Sequence, residues 1–88
     1  MITEIETLIK KAGFTYVGTG RGKGELEKYE NHLYHKTIYG TVQQIQLALD
    51  RENDKVIPVF SKNVSEELRN NINYLILNSS EKNSLQFN

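Results

Sequence analysis

Residues 41–60 read TVQQIQLALDRENDKVIPVF, and the fold turns on whether their first half is helix or strand. Thr41 and Gln44 stand at capping-box spacing, and Gln, Leu and Ala favour helix. Against that, Ile45, Leu47 and Leu49 alternate with Gln46 and Ala48, which puts three apolar side chains on one face of a strand. The second half of the stretch tips the reading to strand. Arg51-Glu52-Asn53-Asp54 is a polar, turn-like cluster, and the KVIPVF behind it is rich in β-branched residues. Two apolar runs joined by a short polar turn make a hairpin. Pro58 lacks an N–H, so the second strand lies at a sheet edge or carries a bulge.

Downstream, Asn63 and Ser65 are both good helix N-caps, and Glu66 and Glu67 suit a first turn. Val64, Leu68, Ile72, Leu75 and Ile76 make the apolar stripe of a helix. From residue 79 the sequence SSEKNSLQFN is polar and reads as a frayed, exposed tail that includes Leu85 and Phe87. Upstream, Thr3-Glu4-Ile5-Glu6 has the form of a capping box, and Ile5, Leu8, Ile9 and Ala12 follow one helical stripe. Lys10 and Lys11 suit the last turn, and Gly13 supplies a left-handed stop. Phe14 to Val17 reads as a strand.

The middle is ambiguous. In ELEKYENHLYHK, Leu26, Tyr29 and Leu33 would line one helical face, yet Tyr34 to Tyr39 reads as a strand, with the switch near His32. The expected architecture is α+β, a small antiparallel sheet of three to four strands with an N-terminal and a C-terminal helix packed on one face. Residues 1–78 form this single domain and residues 79–88 the tail.

Composition removes several chemistries. There is no cysteine, hence no disulfide, no thiolate nucleophile and no Cys-ligated zinc. No apolar run approaches the roughly 20 residues that cross a bilayer, and the acidic N-terminus does not read as a signal peptide, so a cytoplasmic protein without membrane contact is expected. The formal net charge is zero, against the basic excess usual in nucleic-acid binders. The only aspartates, Asp50 and Asp54, lie in or beside the hairpin turn, and no Ser–His–Asp set can be assembled.

The stretch Val17 to Gly24, VGTGRGKG, holds four of the six glycines. As a phosphate loop it fails, because Gly22-Lys23 is preceded by Val17 where a glycine is required and followed by Gly24 where a Ser or Thr is required. It fails as a dinucleotide fingerprint too, with Lys23 at the third glycine position. No cofactor is expected. The stretch reads as a mobile loop whose Arg21 and Lys23 can reach phosphates or an acidic partner. His32 and His35 would share a helical face but point to opposite sides of a strand, so no metal site is expected. Tyr29, Tyr34 and Tyr39 gather around the two histidines, and tyrosine is favoured at interfaces.

Two stretches, LIKKAGFTYV and KVIPVFSKNVSEELRNNI, resemble the HicA family of small ribonuclease toxins. The resemblance covers about a third of the chain. It implies a double-stranded-RNA-binding-domain-like α-β-β-β-α fold, with His32 as the catalytic residue and Arg21, Lys23 and Lys36 as RNA contacts. The family's Gly-Ser-His signature is absent: Gly40-Thr41 is followed by Val42, and His32 is preceded by Glu30-Asn31.

Taken together, the sequence points to a small non-enzymatic protein that regulates or inhibits by contact with another protein. Arg21, Lys23, Tyr29, His32, Tyr34, His35 and Tyr39 are the candidate contacts, and the edge strand Lys55–Phe60 offers main-chain groups to another chain or a second copy. An RNA-binding or RNA-cleaving module of the HicA kind is the alternative.

Overall fold

The structure, a computed structural model, describes residues 1–86, with side chains placed for residues 1–78. Helix α1 (Ile2–Lys11) leads into strand β1 (Thr15–Gly20), a short 3-10 helix (Gly24–Lys28), strands β2 (Glu30–Ile38), β3 (Thr41–Asp50) and β4 (Lys55–Phe60), and helix α2 (Glu66–Gln86). The four strands form one antiparallel sheet in the order β1-β2-β3-β4. Residues 41–60 are the expected hairpin, closed by Asp50, whose carboxylate accepts from the Asn53 main-chain N–H (3.2 Å) and side-chain amide (2.8 Å). These bonds hold the Asp50 carboxyl below its ordinary range.

Both helices cover the same face. Ile5 and Ile9 of α1 and Leu68 and Ile72 of α2 meet Tyr34, Ile45, Leu47, Leu49 and Val56 of the sheet, with Phe14 and Val64 closing the ends. Period-2 alternation then sends Asn31, Leu33, His35, Val42, Gln44, Gln46, Ala48, Ile57 and Val59 to the opposite, open face.

The ends of the helices differ in how legible they are. Gly13, at φ +96°, gives its N–H to the Lys10 carbonyl, and Phe14 gives its own to Ile9, the paired bonds of a Schellman stop. Ser65 caps α2, its hydroxyl accepting from the Leu68 N–H over 3.2 Å. The capping box expected at Thr3 does not form: α1 begins at Ile2, Met1 is its N-cap, and no side chain caps it. Thr3 is already helical, and Glu6 is turned toward Tyr34 instead.

The glycine stretch is a loop only in part, with Arg21–Lys23 lying between elements. Val17 to Gly20 belong to β1, where Val17 is the extra residue of a bulge between the pairs Tyr16–Tyr34 and Gly18–Leu33. Two of the glycines serve close approach: a Cβ on Gly20 would lie 2.9 Å from Leu33 Cδ1, and one on Gly22 would overlap the Leu26 carbonyl. The switch to strand comes at Glu30 rather than near His32, and the helical piece before it is 3-10. Helix α2 runs through Gln86, into the stretch from residue 79 expected as a frayed tail, while Phe87 and the Leu85 side chain lie outside the described residues. Among the described residues no helix is long and apolar enough to cross a membrane.

Both sheet edges are blunted. The Ser61 N–H donates to the Gln44 carbonyl (2.9 Å), so odd-numbered residues of β4 turn their main-chain groups toward β3 and even-numbered ones turn outward. Pro58 falls on the outward row and removes its central donor. On the other side, the bulge at Val17 interrupts β1.

Candidate functional site

Strands β2 and β3 outrun their neighbours. Pairing of β1 with β2 stops at Thr15–His35, and β4 leaves β3 after Ile45–Phe60, whereas β2 and β3 continue to Ile38–Thr41. Residues 37–42 therefore project as a two-stranded hairpin. Lys36 braces its base, giving its ammonium to the Ala12 carbonyl at the end of α1 (2.7 Å), and Asn63 donates to the Val42 carbonyl (3.0 Å). At the tip Tyr39 (φ +50°) and Gly40 (φ +78°) form the two-residue turn that needs left-handed backbone at both positions. A tyrosine is an unfavourable choice there, because the left-handed conformation costs an L residue about 1–2 kcal/mol. Its side chain is fully exposed, and the neighbouring Ile38 and Val42 are exposed as well.

Val42 continues along the open face into a cleft of about 270 Å³ lined by Arg21, Lys23, Leu26, Gln44, Gln46 and Val59. Its wall is the segment 20–29, held over the sheet by Asn31. That side chain is 3% exposed and gives its amide to the carbonyls of Leu26 (3.0 Å) and Tyr29 (2.9 Å). The Asn31 carbonyl accepts from Gln46 Nε2 (2.8 Å), which also reaches the Arg21 carbonyl at 3.3 Å. Gln44 Oε1 and His35 Nε2 stand 2.9 Å apart, a hydrogen bond in the tautomer that carries the ring proton on Nε2. None of the lining residues is acidic, and among the described residues neither Arg21 nor Lys23 is in an ion pair.

A second polar group lies on the helix-bearing face. His32 Nδ1 is 3.1 Å from the Tyr16 hydroxyl, and its Nε2 is at ion-pair distance (3.1 Å) from Glu30 Oε2, imperfectly aligned for a hydrogen bond. Arg51 donates to the same carboxylate oxygen at 2.9 Å. His32 and Arg51 together hold the exposed Glu30 carboxyl below its ordinary range. The Tyr16 ring packs on both His32 and Tyr34 with centroids 5.4 Å apart.

The expected contact residues thus separate into groups. Arg21, Lys23 and His35 come together around the cleft, and Tyr39 stands at the hairpin tip. His32 lies across the sheet from the two cations. Tyr29 ends the 3-10 helix beside the Lys28 ammonium, 5.3 Å from its ring centre. Tyr34 departs from the expectation of a surface contact: it is 1% exposed and belongs to the core. Leu26, Gln44, Gln46 and Val59 of the cleft, and Ile38 and Val42 of the hairpin, were not anticipated. The signal for the glutamines was present in Gln44-Ile45-Gln46-Leu47, whose alternation puts the amides opposite the core.

A further depression between the helices, lined by Thr3, Glu4, Thr7, Leu8, Lys11 and Leu75, gathers no converging set of like charges or hydrogen-bonding groups. Among the described residues no group of three or more His, Cys, Asp or Glu is placed to hold a metal. No protein-family model, no curated protein and no solved structure matches the chain.

Proposed function

We propose that the chain is a small non-enzymatic binding protein that regulates or inhibits another protein by surface contact. The projecting hairpin carries this reading. Tyr39 is fully exposed at a turn position where Asn or Gly would be less strained, with the exposed Val42 behind it on the open face and the exposed Ile38 on the opposite face. Strained backbone is concentrated at active sites and ligand clamps, and tyrosine is enriched among the residues that carry binding energy. The surface continues along β3 into the cleft, and the blunted edges favour contact through the open face over strand addition.

The test is Tyr39→Asn. Asn tolerates the left-handed turn, so the variant is expected to melt at the same temperature or higher. Immobilised wild type and variant are exposed to lysate of the source cells, and captured proteins are quantified by mass spectrometry. A protein retained by the wild type and lost from a well-folded Tyr39→Asn is the expected result. Equal capture by both would remove the hairpin from the contact surface.

The RNA-cleaving reading that the HicA resemblance implies has one observation in its favour. His32 sits between a hydroxyl and a carboxylate, an arrangement suited to general acid–base work. It requires Arg21, Lys23 and Lys36 to serve the same substrate. Arg21 and Lys23 face the other side of the sheet, and Lys36 is engaged with α1. RNA cleaved by the wild type and spared by a folded His32→Ala would favour this reading instead.

A further inference from the structure

The cleft beside segment 20–29 has a hydrogen-bonding polarity that selects among ligands. Gln46 commits its amide nitrogen to Asn31 and Arg21, which leaves Oε1 as an acceptor. Gln44 places its oxygen 2.9 Å from His35 Nε2, and with the imidazole in its Nε2–H tautomer the Gln44 amide nitrogen is left as a donor. The two glutamines are two residues apart on one strand, so a donor and an acceptor stand side by side on the cleft floor. An extended polypeptide offers the complementary pair, a carbonyl and an N–H, along its main chain. Phosphate groups offer acceptors only and leave Gln46 Oε1 without a donor, so that in RNA only a 2′-hydroxyl or a base could answer it. Leu26 and Val59 supply apolar walls, while Arg21 and Lys23 supply two positive charges with no acid in the lining.

We infer that this cleft takes an extended, acidic segment of the partner protein, its main chain read by Gln44 and Gln46 and its carboxylates by Arg21 and Lys23. The inference rests on the protein-contact reading above and names the partner's chemistry. The site is pre-organised: the buried Asn31 holds its wall in place before any ligand arrives.

The experiment uses the full chain and three fluorescein-labelled peptides of equal length, alternating Glu with Val, Thr with Val, and Lys with Val. A single-stranded RNA of similar length is the fourth probe. Anisotropy is read at low and at near-physiological salt. The Glu–Val peptide is expected to bind, to weaken with salt, and to bind the Arg21→Glu/Lys23→Glu variant at least about tenfold less tightly. Both side chains are exposed, so that variant is expected to keep the wild-type melting curve. Gln46→Leu removes the acceptor, together with the amide that ties Asn31 to the Arg21 carbonyl, and is expected to weaken the same peptide while leaving the charges in place.

Equal binding of the Thr–Val peptide would overturn the acidic preference and leave the contact reading intact. No peptide binding, with Tyr39-dependent capture retained, would overturn the cleft inference alone. Tighter binding of RNA than of any peptide, lost in the double variant, would overturn both.

Discussion

The Tyr34 hydroxyl donates to Glu6 Oε2 across 2.9 Å, so that an acid of α1 is answered by a phenol from the centre of the sheet. Burial first, then this bond, push the Tyr34 ionisation well above its ordinary value. The folded state therefore holds the phenolic proton more tightly than the unfolded chain. The stability this contributes is complete below about pH 10, the unfolded value, and is lost as pH rises beyond it. Tyr34→Phe is expected to cost about 1–2 kcal/mol near neutral pH. It should also flatten the alkaline loss of stability. Urea midpoints at neutral pH and above pH 10 measure both effects, and an unchanged alkaline slope in the variant would refute the assignment.

Asn31 is the second internal support. Its removal takes one hydrogen bond each from the Leu26 carbonyl, the Tyr29 carbonyl and the Gln46 amide, although Leu26 keeps the Tyr29 N–H and Gln46 keeps the Arg21 carbonyl. Asn31→Ala is expected to cost about 2–3 kcal/mol. The specific signature is faster amide exchange over residues 21–29 with the hairpin of β3 and β4 still protected. Uniform acceleration across the chain would show that Asn31 supports the whole fold and not this wall.

The two glycines that face neighbours should respond unequally. On Gly20 a methyl meets the end of the Leu33 side chain, which can shift. On Gly22 it meets the Leu26 main chain, which cannot shift without moving the 3-10 helix. Gly22→Ala should cost about 1–3 kcal/mol and Gly20→Ala less than about 1. Thermal melts of the pair settle the order.

Helix caps give a matched comparison. Ser65→Ala removes the acceptor of the Leu68 N–H and should cost about 1 kcal/mol. Thr3→Ala removes no cap, because Thr3 lies within α1, and its midpoint should stay within about 0.5 kcal/mol of wild type. A larger loss at Thr3 than at Ser65 would mean that the helix starts where the capping-box spacing suggested.

How much could be read from the residues depends on the range of the forces involved. Alternation from Ile45 to Leu49 and the polar turn after it are local signals, and they gave the hairpin. The stripes of α1 and α2 and the stop at Gly13 were legible for the same reason. The box at Thr3 misled because Glu6 has a better partner twenty-eight positions away. VGTGRGKG looked mobile because glycine permits motion as well as close packing, and only the placement of Leu33 and Leu26 distinguishes them. The pairing of Tyr16 with His32, and of Gln46 with both Asn31 and Arg21, depends on strand register that no short window contains.

The strands lie in the sheet in the order in which they occur in the chain. Each pairing closes only a short loop, while the meeting of α1 with α2 closes nearly the whole chain and carries the largest entropic cost. During synthesis, β1 to β4 leave the ribosome before the stripe of Leu68 and Ile72 exists to cover them. Until Leu68 and Ile72 are made, the part of the cover over Ile45, Leu47 and Leu49 that α2 supplies is missing, and apolar surface that the finished fold buries stays open to other chains.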